Sequence, residues 1–310
     1  MARPQVGVYA EPNLHGLTLL MNVMTDDVDA VRRKLARIPS IASELDDRFS
    51  ESMLSVFVAI GSDYWDHVYP QNRPAQLGGF PELRDADRQA PRESVDLLLG
   101  IRSDRFDVNF QSARTFLEWL GHDVELLDEI RTFRFMDGRD LTGFIESPDN
   151  PHGLRRRQFA TIKAEDDKHF AGGAYLFMQK FRHDLRRWEQ LSIDMQEHVM
   201  GRQKISGERI SEAVLSLVTH AQKSRLVDVN DQPFLLLRQN MPWGDLREQG
   251  LLAMYFSGEA QHVVQWLKQR YLADSDGDYD PLLDYIEAVS NGAYFAPSID
   301  FLEQLGEPKR

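Results

Sequence analysis

The chain has 310 residues, 36 Lys and Arg against 49 Asp and Glu, a formal net charge of −13, 42% apolar residues and no cysteine. That length buries a core without covalent staples, and the missing cysteines exclude a disulfide framework, a thiolate metal site and a cysteine nucleophile. The acidic balance argues against a sequence-independent nucleic-acid binder, which needs a basic face to displace phosphate counterions.

In chain order, Leu17 to Met24 is strand-like, and Thr25-Asp26-Asp27 caps a stretch whose apolar Val28, Val31, Leu35 and Ile38 recur at helical spacing. The apolar run Met53 to Ile60 predicts a second strand closed by Gly61, and the Pro/Gly-rich segment from Pro70 to Pro91 predicts a loop. Val95 to Ile101 reads as a buried strand. Phe110, Ala113, Phe116, Leu117 and Leu120 form a helical stripe that stops at Gly121, and Val124 to Phe135 is a long, partly alternating strand. The order is β-α-β-β-α-β.

The second half repeats that order. Ala174 to Phe181 is strand, Asp184 to Met200 helix, Phe234 to Arg238 and Leu251 to Phe256 strands, Ala260 to Leu272 helix, and Ala293 to Ala296 a closing strand. Two split β-α-β units predict an α+β fold of two ferredoxin-like halves, residues 1–145 and 146–310, with antiparallel sheets and peripheral helices. No apolar run approaches the ~20 residues of a spanning helix, and Glu11, Asn13 and His15 interrupt the start, so neither a membrane segment nor a signal peptide is expected. The chain reads as cytoplasmic.

Metal sites built on spacing fail. His183 and His198 bracket the Asp184–Met200 helix about four turns apart, too far to share an ion, and read as solvated surface histidines. Asp274-Ser-Asp-Gly-Asp-Tyr-Asp280 alternates acids like a calcium loop, but Gly277 sits at the fourth position and Tyr285 at the twelfth, which disfavours calcium.

A more specific stretch is Phe133-Arg-Phe-Met-Asp-Gly-Arg-Asp-Leu-Thr-Gly-Phe-Ile-Glu-Ser-Pro-Asp-Asn-Pro151. Its Arg-Asp-Leu-Thr-Gly-Phe followed by Asp-Asn-Pro resembles the signature of the dye-decolorizing peroxidases, haem proteins of two ferredoxin-like halves. Met200-Gly-Arg-Gln-Lys204, Leu237-Arg-Gln-Asn-Met-Pro-Trp-Gly244 and Gly292-Ala-Tyr-Phe-Ala-Pro-Ser298 agree in the family's order. Ala10 to His15 and Phe57 to Trp65 resemble its compact bacterial cytoplasmic branch.

The resemblance implies haem b held in the C-terminal half, with an axial imidazole that leaves the iron's sixth position open for hydrogen peroxide. The family's axial histidine lies about nineteen positions beyond the Gly of Gly-Arg-x-Lys, and His220 is nineteen beyond Gly201. The family's arginine three residues after that histidine is not matched; Arg225 stands five after it. A helix-capping histidine is the bland alternative. Asp280 matches the carboxylate that orients the axial imidazole, and Arg202 a propionate partner whose alternative is a surface ion pair. On the peroxide side Arg238 matches the distal arginine and Asn240 a neighbouring amide.

One departure stands at the signature. The usual Gly-x-x-Asp-Gly reads Gly143-Phe-Ile-Glu146-Ser147, followed by Pro148. Glu146 keeps a carboxylate on a longer side chain, and Ser147 replaces a residue free to adopt positive φ. The expected activity is reduction of hydrogen peroxide with oxidation of a bulky, unidentified organic reductant, at the surface through aromatics such as Tyr175, Trp188 or Trp243. A haem-binding or haem-handling protein, or a haem-free relative, is the alternative that Glu146-Ser147 keeps open. A homo-oligomer is expected, with Trp65, Tyr69 and Trp266 as aromatics a partner copy could cover.

Overall fold

The computed structural model describes residues 2–225, 227, 234 and 236–306. The first unit runs β1 (His15–Val23), α1 (Val28–Arg48), β2 (Ser55–Gly61), α2 (Trp65–Val68), β3 (Leu83–Asp85), β4 (Arg88–Ala90), β5 (Leu97–Ser103), α3 (Phe106–Leu120) and β6 (Val124–Phe133). The second runs α4 (Leu154–Ala160), β7 (Ala174–His183), α5 (Leu185–Glu189), α6 (Ile193–Met200), α7 (His220–Lys223), β8 (Leu237–Arg238), β9 (Met241–Gly244), β10 (Gln249–Ser257), α8 (Ala260–Tyr271), β11 (Ile286–Ala296) and α9 (Ile299–Gly306).

Both units have the strand order expected of a ferredoxin-like half. The first is β6-β1-β5-β2, the second β11-β7-β10-β9 with β8 also on β10, and all pairs are antiparallel. The two sheets meet along both edges, at Ile60↔Phe295 and Gly61↔Tyr294 on one side and at Thr132↔Trp243 on the other. Strand alternation then sorts the apolar side chains. Leu20, Phe57, Leu98 and Ile130 face Met178, Met254 and Phe256 in one cluster, while Leu19, Val58 and Leu99 join Val31, Leu35 and Phe116 of the helices in the other.

Local chemistry sets the helix limits. The Asp27 carboxylate accepts from the Ala30 amide at 2.9 Å to start α1, and α3 stops at Gly121 with φ +61°. The expected helix over Asp184–Met200 is two helices instead. Ser192 restarts the chain by accepting from the Met195 amide, and an N-cap requires extended backbone at that residue. The 70–91 segment also holds more structure than a loop, since β3 and β4 form a small hairpin around Ala86, which sits at φ +49°. Of the expected strand Phe234–Arg238, Leu237–Arg238 is observed and Leu235 lies outside the described residues.

Two expectations about side chains are corrected. Trp65, Tyr69 and Trp266 are buried inside this chain, packed on Phe301, Phe295 and Tyr255, so they offer nothing to a partner copy. His183 ends β7 and is buried, not solvated on a helix; His198 is exposed as expected. The acidic loop is closed on itself: Asp274 accepts from the amides of Asp276 and Asp278 and pairs with Lys223 at 2.7 Å. Among the described residues no cluster of His, Asp or Glu could hold a bare metal ion, and no helix is long and apolar enough to cross a membrane.

Candidate active site

The segment 134–150 folds back on itself between β6 and α4. Arg139 lies at its centre, giving guanidinium hydrogen bonds to the carbonyls of Gly143, Lys204 and Ile205, which ties the signature to the loop after α6. Gly143 needs its glycine for the backbone, at φ +87°; the atoms a Cβ would meet belong to the movable end of the Lys204 side chain. Asn150 closes the other end, pairing both backbone groups of Arg238: its Oδ1 accepts from the amide at 3.0 Å and its Nδ2 donates to the carbonyl at 2.8 Å. Glu146, on the turn, and Arg238, on β8, thereby come to one wall.

The opposite wall is α7. Thr219 caps it with a reciprocal box to Gln222, and Gly201 at the end of α6 has φ +69° where a Cβ would meet Thr219 Oγ1 at 2.4 Å. That close approach sets His220, the first residue of α7, into the cavity. Its Nδ1 lies 2.8 Å from Asp280 Oδ2, which also accepts from Arg270 Nε at 2.7 Å, while Asp280 Oδ1 accepts from the Leu282 amide. No described residue hydrogen-bonds the other ring nitrogen, Nε2. Asp280 is fully buried; burial opposes its ionisation, but the His220 imidazole and the Arg270 guanidinium outweigh that and hold it well below the usual carboxylate range.

Between these walls lies a cavity on the outer side of the second sheet, beneath α8. Phe181, Leu251, Trp266 and Ile286 give it apolar sides, and Arg202, Arg238 and Arg270 give it cations. Glu146 Oε1 accepts from Asn240 Nδ2 at 2.7 Å and from Ser147 Oγ at 2.5 Å. Asn240 Oδ1 in turn accepts from the Met254 amide, which fixes which end of that amide is the donor. Arg238 Nε is enclosed without a hydrogen-bond partner among the described residues. Burial pulls the Arg238 guanidinium below its ordinary pKa against the attraction of Glu146 and Asp149, yet an arginine stays charged. Tyr255, opposite Arg238 in the β10–β8 pair, is pushed up to about 12 by burial and is a neutral phenol.

Arg202 uses its terminal nitrogens on the Gly207 carbonyl and on Asp149, which Arg209 also meets at 2.8 Å. The ion pair weighed for Arg202 therefore exists, on a residue that also lines the cavity. An imidazole nitrogen and a buried guanidinium N–H that no described residue engages, apolar walls, and arginines set among them together suit a flat, largely apolar metal chelate with carboxylate arms and an open coordination position.

Family models agree with that chemistry. The N-terminal DyP-type peroxidase model matches residues 10–134 and the C-terminal one residues 137–301. The chain belongs to the DyP-type peroxidases. A curated dye-decolorizing peroxidase of Mycobacterium tuberculosis is 34% identical over 98% of this chain and 92% of its own. A solved DyP-type protein of Shewanella oneidensis is 38% identical, with a TM-score of 0.94 over 98% of this chain and 99% of that one. A Rhodococcus jostii DypB variant solved in complex with haem is 31% identical, with a TM-score of 0.91 over 99% and 100%. The chain is a haem peroxidase, and the cavity's residues fit that cofactor.

Within this peroxidase the structure brings His220, Asp280, Arg202, Arg238, Glu146 and Asn240 around one cavity. Sequence reading passed over Arg270, although an arginine in the apolar stripe of Val263, Trp266 and Leu267 signals a buried anion. It also passed over Lys223, which occupies the position three after His220 and donates to Asp274 and to the Asp278 carbonyl. The cation sought at Arg225 thus has a nearer counterpart. Lys223 pins α7 to the loop that ends in Asp280. His183, expected at the surface, has its Nδ1 buried with no hydrogen-bond partner among the described residues, 3.7 Å from Asp140 Oδ2 at the cavity wall.

Proposed function

We propose that His220 is the axial ligand, Asp280 the acceptor that orients it, and Arg238 and Glu146 the residues that act on hydrogen peroxide. The observation that carries this reading is the convergence of His220 and Glu146–Arg238 on one cavity from separate elements, with His220 Nδ1 engaged by Asp280 so that Nε2 remains for iron. Arg202 is the candidate partner for a haem carboxylate. The haem supplies the iron at which the O–O bond is broken and holds the oxidising equivalents until a reductant takes them.

The chain's own residues handle protons and charge. Heterolysis moves a proton from one peroxide oxygen to the other and places negative charge on the departing one. Glu146 Oε1 is saturated by Asn240 and Ser147, so the travelling proton resides on Oε2. Arg238, whose Nε no described residue engages, stabilises the negative charge that builds on the departing oxygen before the proton from Glu146 reaches it and it leaves as water. Asn240 fixes the carboxylate's rotation.

The reductant is proposed to be a bulky organic molecule, oxidised without entering a cavity this enclosed. Tyr175 and Trp188 are buried and Trp243 partly so. Trp188 has the better connection outward, through Tyr285 at 5.2 Å between ring centroids, with Phe144 of the cavity wall on its other side at 6.0 Å. A cytoplasmic homo-oligomer is proposed as well. The exposed Phe106 and Phe110 on one face of α3 support a covered surface, and a related peroxidase of Mycobacterium smegmatis is described as encapsulated. Light scattering at micromolar concentration should give a multiple of 35.7 kDa; the monomer mass would exclude it.

The function itself is tested by loading the purified protein with haem and following the Soret band and the bleaching of an anthraquinone dye. Bleaching that needs both haem and hydrogen peroxide is expected. Tight haem uptake without any reaction with peroxide would favour the haem-handling alternative.

A further inference from the structure

Ser147 adopts φ +48°, a left-handed conformation that non-glycine residues avoid. It also precedes Pro148, whose ring drives the preceding residue toward extended backbone. A residue so disfavoured in that place persists where it makes something a glycine cannot. The Ser147 backbone carbonyl accepts from the Asn150 amide at 3.0 Å, which any residue could do. Its hydroxyl donates to Glu146 Oε1, which only a side chain can do.

We infer that Ser147 is a positioning residue that adapts this site to a glutamate. The inference rests on the reading of Glu146 as the group that carries the peroxide proton. A glutamate has one more rotatable bond than an aspartate, and Asn240 alone leaves its carboxylate free to turn about a single hydrogen bond. The second donor, on the same oxygen, removes that freedom and leaves Oε2 as the one oxygen able to take a proton. Glu146 and Ser147 are thus one coupled exchange. The longer acid is tolerated because its neighbour's hydroxyl holds it, and the serine is tolerated at positive φ because the acid accepts from it.

The test is a double-mutant cycle on the haem-loaded protein with Ser147→Ala, Glu146→Gln and both together. Ser147→Ala keeps the Cβ and the backbone strain and removes only the hydroxyl. Two rates are read: the second-order reaction with hydrogen peroxide, and the association of cyanide, which as HCN must give up its proton to a nearby base. Ser147→Ala should slow both by about tenfold in the native background and by less than about twofold beside Glu146→Gln. Ser147→Gly should raise the melting temperature of the haem-free protein by about 2 °C and, once loaded with haem, lose the same rate, because relieving the left-handed strain and removing the hydroxyl act on different properties.

Equal losses in both backgrounds would overturn the inference, since Ser147 would then act independently of Glu146. So would an unchanged rate in Ser147→Ala. If Glu146→Gln leaves both rates untouched, the role of Glu146 itself has failed; if it slows them while Ser147→Ala does not, only the coupling has.

Discussion

The two walls of the cavity are built differently. On the His220 side α7 meets a region sixty residues further on, where α8 and the segment after the acidic loop bring the buried Arg270 and Asp280 against the partly buried His220. On the Glu146 side a single turn folds on itself around Arg139, and its acid is held by its own neighbour and by Asn240. The trio leaves no latitude, because the buried Asp280 and Arg270 each satisfy a charge that burial would otherwise penalise heavily, and His220 shares the same carboxylate oxygen. The turn has latitude, because a change in one side chain can be met by a change in the next residue. The sequence resembles the family's pattern around His220 and Asp280 and departs from it at Glu146-Ser147, where a local rearrangement costs least.

Breaking the trio should therefore have the largest effect. His220→Ala is expected to lose the ferric haem spectrum or haem retention altogether, read by the Soret-to-protein absorbance ratio; an unchanged ratio would remove His220 from the iron. Asp280→Asn leaves Arg270 buried without its anion and should cost about 3–5 kcal/mol of stability, measured by urea unfolding of the haem-free protein. Loss below 1 kcal/mol would mean that the trio is held by packing alone.

A smaller effect of the same trio follows from pH. Asp280 is held below its ordinary value of 3.8, so its pairing contributes fully above that value and is lost as pH falls further toward the folded-state pKa. Melting temperature should fall below about pH 4 with a component that Asp280→Asn lacks. Parallel curves for the two proteins would show that this carboxylate does not couple folding to protons.

The contrast also explains what the sequence discloses. Periodicity reveals α1, α3, α8 and β6, which bury one face and show another, whereas β1 and β7, buried on both faces over most of their length, are legible as short apolar runs. Ser192 was legible only afterwards as the break between α5 and α6, since a serine within an amphipathic stretch is ambiguous until an amide is seen donating to it. The closure of the two sheets depends on a handful of pairs between β2 and β11 and between β6 and β9, which no local pattern encodes. At the site, the nineteen-residue spacing and the signature point to His220 and Glu146. Arg270 and Lys223 stay hidden because their partners, Asp280 and Asp274, lie on another segment.

The most direct measurement places Arg238→Ala and Glu146→Gln side by side, both fully loaded with haem, in stopped-flow mixing with hydrogen peroxide. A well-placed acid-base group is worth roughly 10²–10⁴-fold, and a charge stabilising a developing anion roughly 10²–10³-fold. With the acid displaced onto a longer side chain, Arg238→Ala should lose about 10²–10³-fold and Glu146→Gln less than 10²-fold. A larger loss in Glu146→Gln would make the glutamate the principal catalyst, and a wild-type protein that does not react with peroxide would contradict the account as a whole.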